Sequence, residues 1–578
     1  MVKIIGCSPI LHQKLNADNY TYWLKNKPVS VIISIRKLKM PKGYLSFILH
    51  AHLPYVRHPE YDDFLEERWF FEAITETYIP LIKFFHRLAE EDVNFKLTIS
   101  ISPSLLAMME DPLLQERYLL HINKLIELSE KELERNRHNS HLNWLAGMYR
   151  QLFLEAREIY LNQWNCKLSS AFKRLHKCGA IELITTSATH GLLPLLSPQP
   201  KSVNAQVITG LDYFEGVFGF RPKGMWLPEC GYYPGLDKIL WDEGVGYFIL
   251  ESHGVEYGST NPFYGVYAPI YTPSGVAAFG RDQSSTKQVW SAKEGFPGHP
   301  DYREFYRDIG HDLDFNYLHP YLSGNVRVDT GIKYYRITGQ TTRKGLYNPE
   351  IAKERAAQHA GEFLHKRISH VEYLISAMKT NPIVIAPFDA ELFGHWWFEG
   401  PQWLDFVIRK TIFDQDTIEL ITPSDYLDSH PVHQKGIPST STWGHKGYFE
   451  AWLNGKTDWI YPQLHECSRK MEVLANKFSS KENSTKITQR ALNQCLRELL
   501  LAQSSDWPFI INNSTSTDYA TRRVKDHVAR FHYLASSIEN NSLVEENLSA
   551  IEYMDNIFPK ADYRLFKRQE TKNQDKTG

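Results

Sequence analysis

Asp389 and Glu391, followed by His395, Trp396 and Trp397, put two carboxylates, an imidazole and two indoles within one nine-residue stretch. The stretch follows a short apolar run, Ile383-Val384-Ile385-Ala386, that reads as a strand buried on both faces. Acids and aromatics at the end of a buried strand are costly to bury without a partner, so they point to an active-site edge. A second stretch has the same order: Met225-Trp226-Leu227, then Glu229, then Gly231 and Tyr232. One carboxylate needs a partner for acid/base work, and Glu229 is the best candidate. Glu229 and Asp389 lie far apart in sequence, so only a fold that gathers strand ends at one mouth would unite them.

The elements needed for such a mouth recur along the chain. Strands are expected at 45–49, 95–101, 181–185, 225–227, 247–250, 383–386 and 418–421, with a weaker one at 288–290. Several are almost wholly apolar, as parallel strands covered on both faces should be. A helical excursion is expected over about 111–177, and a second helical unit beyond residue 436, where Leu474, Leu492, Leu496 and Leu499 recur at helical spacing. The resulting division is an N-terminal extension at 1–40, a catalytic unit at 41–435, a helical unit at 436–558 and a disordered tail at 559–578.

Composition narrows the partners. A net charge of −2 and a pI near 6.9 argue against nucleic acid or an anionic membrane as the main partner. No apolar run reaches the length of a membrane span. The six cysteines form no C-x-x-C pair, which fits a reducing cytosol. Tyr, Phe and Trp make up 13% of the residues, an excess that favours a carbohydrate ligand, whose C–H faces stack on aromatic rings.

Five blocks carry a family resemblance: GYLSFILHAHLPYVRHPE, ELITTSATHGLLPLL, WLPECGYYPGLD, APFDAELFGHWWFEGP and STWGHKGYFEAWLNGKTDWIY. In this order they resemble the signature regions of glycoside hydrolase family 57. HAHLPYVRHPE and the later QSSDWPF look like its 1,4-α-glucan branching enzyme branch. The resemblance covers about residues 41 to 535. It implies an α/β fold, an incomplete seven-stranded (β/α) barrel with helical insertions and a C-terminal helical domain. It implies Glu229 as nucleophile and Asp389 as general acid/base. Spacing alone does not separate Asp389 from Glu391, which point the same way on an extended strand end; the family pattern makes the choice.

The implied activity is transfer of an α-1,4-glucan fragment to a 6-hydroxyl, in the cytoplasm, by a monomer or small homo-oligomer with no cofactor. A 4-α-glucanotransferase, an α-amylase of the same family and a catalytically silent glucan-binding protein are the alternatives. His50, His52, His190 and His253 end strands and are expected to contact sugar hydroxyls. His50-x-His52 could instead ligate a metal, but no third histidine stands at ligand spacing in the sequence. Trp226, Trp290, Trp397, Trp443, Trp452 and Trp507 are expected as stacking surfaces, and Asp506 matches the family's S-D-W. The Gly/Pro-containing segment 290–308 reads as a lid, with Phe296 where the resembling branching enzymes are expected to carry tyrosine.

Overall fold

The computed structural model describes residues 41–291, 294–324, 326–478 and 485–567. The N-terminal extension at 1–40 and the last part of the tail lie outside the described residues.

The longest strand, β1 (Gly43–Ala51), is buried at every position. Its parallel neighbours are β2 (Leu97–Ile101) and β8 (Ile383–Asp389), giving the order β3-β2-β1-β8 with β3 at Ile181–Ile184. A short strand β9 (Ile418–Leu420) lies alongside the start of β1. A second sheet has the order β4-β5-β7-β6, from Gly224–Met225, Tyr247–Leu250, Ala277–Gly280 and Ile270–Tyr271. Within it β6 alone is antiparallel. Two parallel bridges, Thr185 to Met225 and Arg281 to Ile385, join the sheets at both edges. The fold is therefore mixed α/β around parallel strands. Because those strands run one way, their C-terminal ends gather the side chains that follow them. The registers align His50 with both Ser100 and Asp389.

Two expectations about elements need correction. Residues 288–290 are the end of a helix, Gln283–Trp290, not a strand; the Asp282 side chain accepts from the amides of Ser284 and Ser285 and starts the helix there. The tail does not begin at 559, since Tyr563 and Phe566 are buried and the Tyr563 hydroxyl donates to the Phe478 carbonyl.

The helical excursion is present as two packed helices, Pro112–Arg135 and Ser140–Glu158, capped by Asp111 and Asn139, and a third at Leu168–Lys177. Helices Ile460–Lys477, Lys486–Ala502, Asp506–Asn513, Thr517–Glu539 and Glu545–Met554 form the second helical region. Its apolar faces belong to the same continuous core as the first sheet. This shared core fixes the turn between Ala502 and Asp506 against the strand ends.

Candidate active site

Glu229 sits in a single 3₁₀ turn just beyond β4, with φ +57, and Cys230 follows at φ +50. Two successive non-glycine residues in the left-handed region are unfavourable, and such strain is held where the surroundings overdetermine it. Here they do. The Trp443 indole donates to Glu229 Oε2 at 2.7 Å and its amide donates to the Glu229 carbonyl at 3.0 Å. The Ser505 hydroxyl donates to Oε1 at 2.9 Å. The nucleophile candidate is thus clamped from two directions, one of them the turn at the start of the helix Asp506–Asn513.

Ser505 continues a chain of contacts. His190 Nδ1 lies 2.9 Å from the Ser505 hydroxyl, His190 Nε2 lies 3.0 Å from His50 Nε2, and His50 Nδ1 lies 3.0 Å from the Ser100 hydroxyl. Burial holds both imidazoles well below the usual histidine range, so both are neutral. The directions then follow. Ser505 gives its proton to ionised Glu229 and accepts from His190 Nδ1–H. His190 Nε2 is left as acceptor for His50 Nε2–H, and Ser100 donates to His50 Nδ1. His190 itself takes φ +57.

His52 is held differently. Its Nε2 meets both carboxylate oxygens of Asp506 at 3.1 Å. Burial opposes charge on this ring, but the carboxylates of Asp506, Glu229 and Glu391 together outweigh it and raise the His52 pKa. The His52 amide donates to Glu391 at 3.2 Å, and the Tyr78 hydroxyl donates to the same oxygen. Glu391 is accordingly a tied carboxylate. No hydrogen bond from any described residue reaches the Asp389 carboxyl, which is left open beside its register partner His50.

Burial dominates the acids. It pushes Glu229 up to about 7, against the hydrogen bonds from Trp443 and Ser505, with Asp506 and Asp389 adding to the rise. Asp389 is pushed up to about 6, opposed by the nearby His52 and Arg281. Glu391 is pushed up to about 7. A buried site that can hold one proton on a pair of carboxyls is suited to acid/base chemistry near neutrality.

Three histidines, His50, His52 and His190, come within reach of one another, so the third histidine that the sequence spacing did not reveal is present. They form a stack, not a cage. The rings lie within 19–23° of parallel, and His52 and His190 are 3.9 Å apart centre to centre. Lone pairs of stacked parallel rings do not converge on a common point, as ligation requires. His50 in turn lies over Trp226 at 4.7 Å.

Several expected sugar contacts are not at the surface. Trp226, Trp397, Trp452 and Trp507 are all at most 1% exposed, so none has an open face for stacking. Trp226 is the floor beneath His50, Trp397 packs on Trp403, Trp452 stacks on Phe509, and Trp507 donates to the Leu501 carbonyl. Phe296 is buried against His359, with centroids 4.4 Å apart, and is no lid over the site. His253 donates to or accepts from no described carboxylate; its Nε2 meets the Gly447 carbonyl at 2.8 Å and steadies the turn that carries Trp443. Gly447 has φ +81, and a Cβ there would lie 2.7 Å from the His253 ring. Trp290 is 49% exposed and pairs with Trp396, itself 46% exposed. Ser505, Ser100, Tyr78 and Arg281 were not singled out from the sequence, and Trp396, though part of the stretch after the buried strand, was not among the expected stacking surfaces. Ser505 stands beside the S-D-W match, and the Trp396-Trp397 pair left open which ring faces outward.

The sequence pattern of glycosyl hydrolase family 57 matches residues 46–440, and the C-terminal pattern of 1,4-alpha-glucan branching enzymes matches residues 463–566. A 1,4-alpha-glucan branching enzyme of Thermococcus kodakarensis is 32% identical over 533 residues, covering 86% of this chain and 74% of its own. Among solved structures, the alpha-amylase AmyC of Thermotoga maritima superposes with a TM-score of 0.85 at 43% identity, covering 92% of this chain and all of its own. A GH57-type branching enzyme of Pyrococcus horikoshii superposes at 0.82 and 32% identity, covering 92% and 97%. With the match spanning both the strand ends and the clamped carboxylate, the chain belongs to glycosyl hydrolase family 57.

Proposed function

We propose that this protein is a retaining 1,4-α-glucan branching enzyme. The observation that carries the reading is the contrast between its two strand-end acids: Glu229 clamped by Trp443 and Ser505, and the Asp389 carboxyl left free. A nucleophile must be held in one attack geometry, whereas an acid/base must meet first a leaving oxygen and then an acceptor oxygen. The Glu229 carboxylate attacks the anomeric carbon as the bond to the leaving O4 breaks, and Asp389 gives its proton to that oxygen. In the second half Asp389 takes the proton from an acceptor 6-hydroxyl, whose oxygen displaces Glu229 from the same carbon. Two inversions restore the α-anomer.

Burial alone raises Glu229 further than Asp389, which would put a shared proton on Glu229, the reverse of these roles. Bound glucan removes water from Asp389, which favours its protonated form, and brings developing positive charge against Glu229, which favours its ionised form.

Support for transfer over simple hydrolysis comes from the branching-enzyme C-terminal match, because its residues Ser505 and Asp506 hold Glu229 and His52. The likeness to an alpha-amylase keeps hydrolysis as a second reading. Incubation with amylose, followed by debranching and linkage analysis, separates them: new α-1,6 linkages are expected, and reducing ends without branches would replace the reading by an amylase.

On this reading β1, β2, β3, β4, β5, β7 and β8 form one seven-stranded barrel, supported by the bridges at Thr185 and Arg281. Residues 41–435 are then the catalytic unit, and the helical unit runs from 436 past 558. A cytoplasmic role in glycogen formation agrees with the free thiols of Cys166, Cys178, Cys230, Cys467 and Cys495. No helix of the described residues is long and apolar enough to cross a membrane.

A further inference from the structure

The turn after β8 carries a second polar device that neither catalytic step uses. His395 Nδ1 donates to Glu76 Oε2 at 2.7 Å. Glu76 lies on a single π-turn, Ile74–Tyr78, inserted where one helix passes into the next. Such turns spread successive side chains towards functional sites. This one aims Glu76 at His395 and Tyr78 at Glu391, so both anchors of the Asp389 turn come from five residues. The fit is close: Gly394 takes φ +112, and a Cβ there would fall 1.8 Å from the Glu76 carbonyl oxygen.

The anchored imidazole is not sealed in. The Glu76 side chain is 10% exposed, but that of His395 is 25% exposed, with Nε2 making no hydrogen bond to a described residue. Around it stand exposed rings. Trp396 follows directly and pairs with Trp290 at 6.0 Å, and Phe305 meets the imidazole edge-on at 5.5 Å beside the exposed Tyr306. One fixed hydrogen-bonding atom among open aromatic faces is the composition of a carbohydrate subsite.

We propose that His395, oriented by Glu76 and flanked by Trp290 and Trp396, binds the acceptor glucan chain, its Nε2 pairing with a sugar hydroxyl and the indoles stacking on the rings. The inference rests on the glucan-transferase reading and names the acceptor side of the same site. The acceptor is assigned here because this turn starts at Asp389, the group that must meet the acceptor hydroxyl. The donor side is closed by Trp443, Ser505 and His190 around Glu229.

The test uses α-maltosyl fluoride, whose small leaving group occupies none of the acceptor side, with maltohexaose as acceptor. Partition of the glycosyl-enzyme between water and maltohexaose is followed as acceptor concentration rises. His395→Ala and Trp396→Ala are each expected to raise the acceptor concentration giving half-maximal transfer by about tenfold, the worth of one hydrogen bond or stacked ring near 1.4 kcal/mol. His395→Gln, which keeps a donor, should recover part of the loss. If both alanine variants slow fluoride release while leaving half-saturation unchanged, the turn only positions Asp389 and the proposal is overturned. Partition is measurable whatever linkage is formed, so an absence of α-1,6 bonds would remove the branching reading without deciding this one.

Discussion

The Ser505 hydroxyl donates to Glu229 Oε1 at 2.9 Å across 276 residues of sequence. The catalytic strand ends and the helical region therefore complete one carboxylate together. Ser505→Ala removes that donor and the acceptor for His190 Nδ1, while sparing the backbone. A hydrogen bond to a charged group contributes about 1.5–3 kcal/mol, so kcat/KM should fall about ten- to hundredfold. A loss below threefold, measured on amylose, would reduce Ser505 to a packing residue. Ser505→Thr should keep most of the activity.

Glu229→Gln separates function from stability. An amide forms no glycosyl ester, so turnover should drop by many orders of magnitude; a residue of activity above a tenth of wild type would sink the assignment. The same change should stabilise the protein. The folded pKa of Glu229 is raised above its ordinary value, so its unfavourable contribution is absent below about 4.5 and grows as pH rises through about 7. At pH 8 the variant should gain roughly 1–3 kcal/mol, an order-of-magnitude figure from a rise of this size, and at pH 4.5 the gain should vanish. Denaturant midpoints at the two pH values provide the measurement.

The pH dependence of kcat/KM follows from the same pair. Between about 6 and about 7 the two carboxyls share one proton, and the productive arrangement has it on Asp389. A narrow bell is expected, with limbs near these values. Trp443→Phe removes a donor that favours ionised Glu229, the higher of the pair, so the alkaline limb should move to higher pH as the maximum falls. An unmoved alkaline limb would mean that Glu229 does not govern it.

What was legible in the sequence was the set of strand ends, because each buried strand stops in polar residues that have no reason to be buried. Glu229, His50, His190 and the Asp389/Glu391 pair follow from that, whereas Asp506 starts a helix and was marked only by the family's S-D-W. What was not legible was direction. The Trp396-Trp397 pair sits on a tight turn where one ring must face inward and the other outward, and only packing on Trp403 decides that Trp397 is the inner one. Trp452 and Trp507 have the residue type of stacking platforms, but the shared core of sheet and helices covers Trp507, and a separate small cluster with Leu192 and Ala451 covers Trp452. His190 was expected as a sugar contact but not as the third member of a histidine cluster, because a cluster formed across the ends of β1 and β3 leaves no short spacing to recognise. Ser505 is a hydroxyl among many until the fold points it at Glu229.

Phe296 provides the sharpest contrast between residue type and position. As a lid it would decide between water and acceptor, and a tyrosine in its place would raise transfer. In the structure its ring stacks at 18° on His359 and lies 6.2 Å from Trp403, inside the layer behind β8. A hydroxyl added there cannot meet a glycosyl-enzyme; it must find a partner in the core or remain unpaired, at a cost of about 1–3 kcal/mol. Phe296→Tyr should therefore leave the ratio of new α-1,6 linkages to released reducing ends within twofold of wild type while lowering the denaturant midpoint. Trp290→Ala, which removes an exposed ring beside Trp396, should do the opposite: the ratio falls several-fold and the midpoint scarcely moves. Both quantities come from one amylose digest and one denaturation curve per variant. A ratio that responds to Phe296→Tyr and ignores Trp290→Ala would place the acceptor on the far side of this segment.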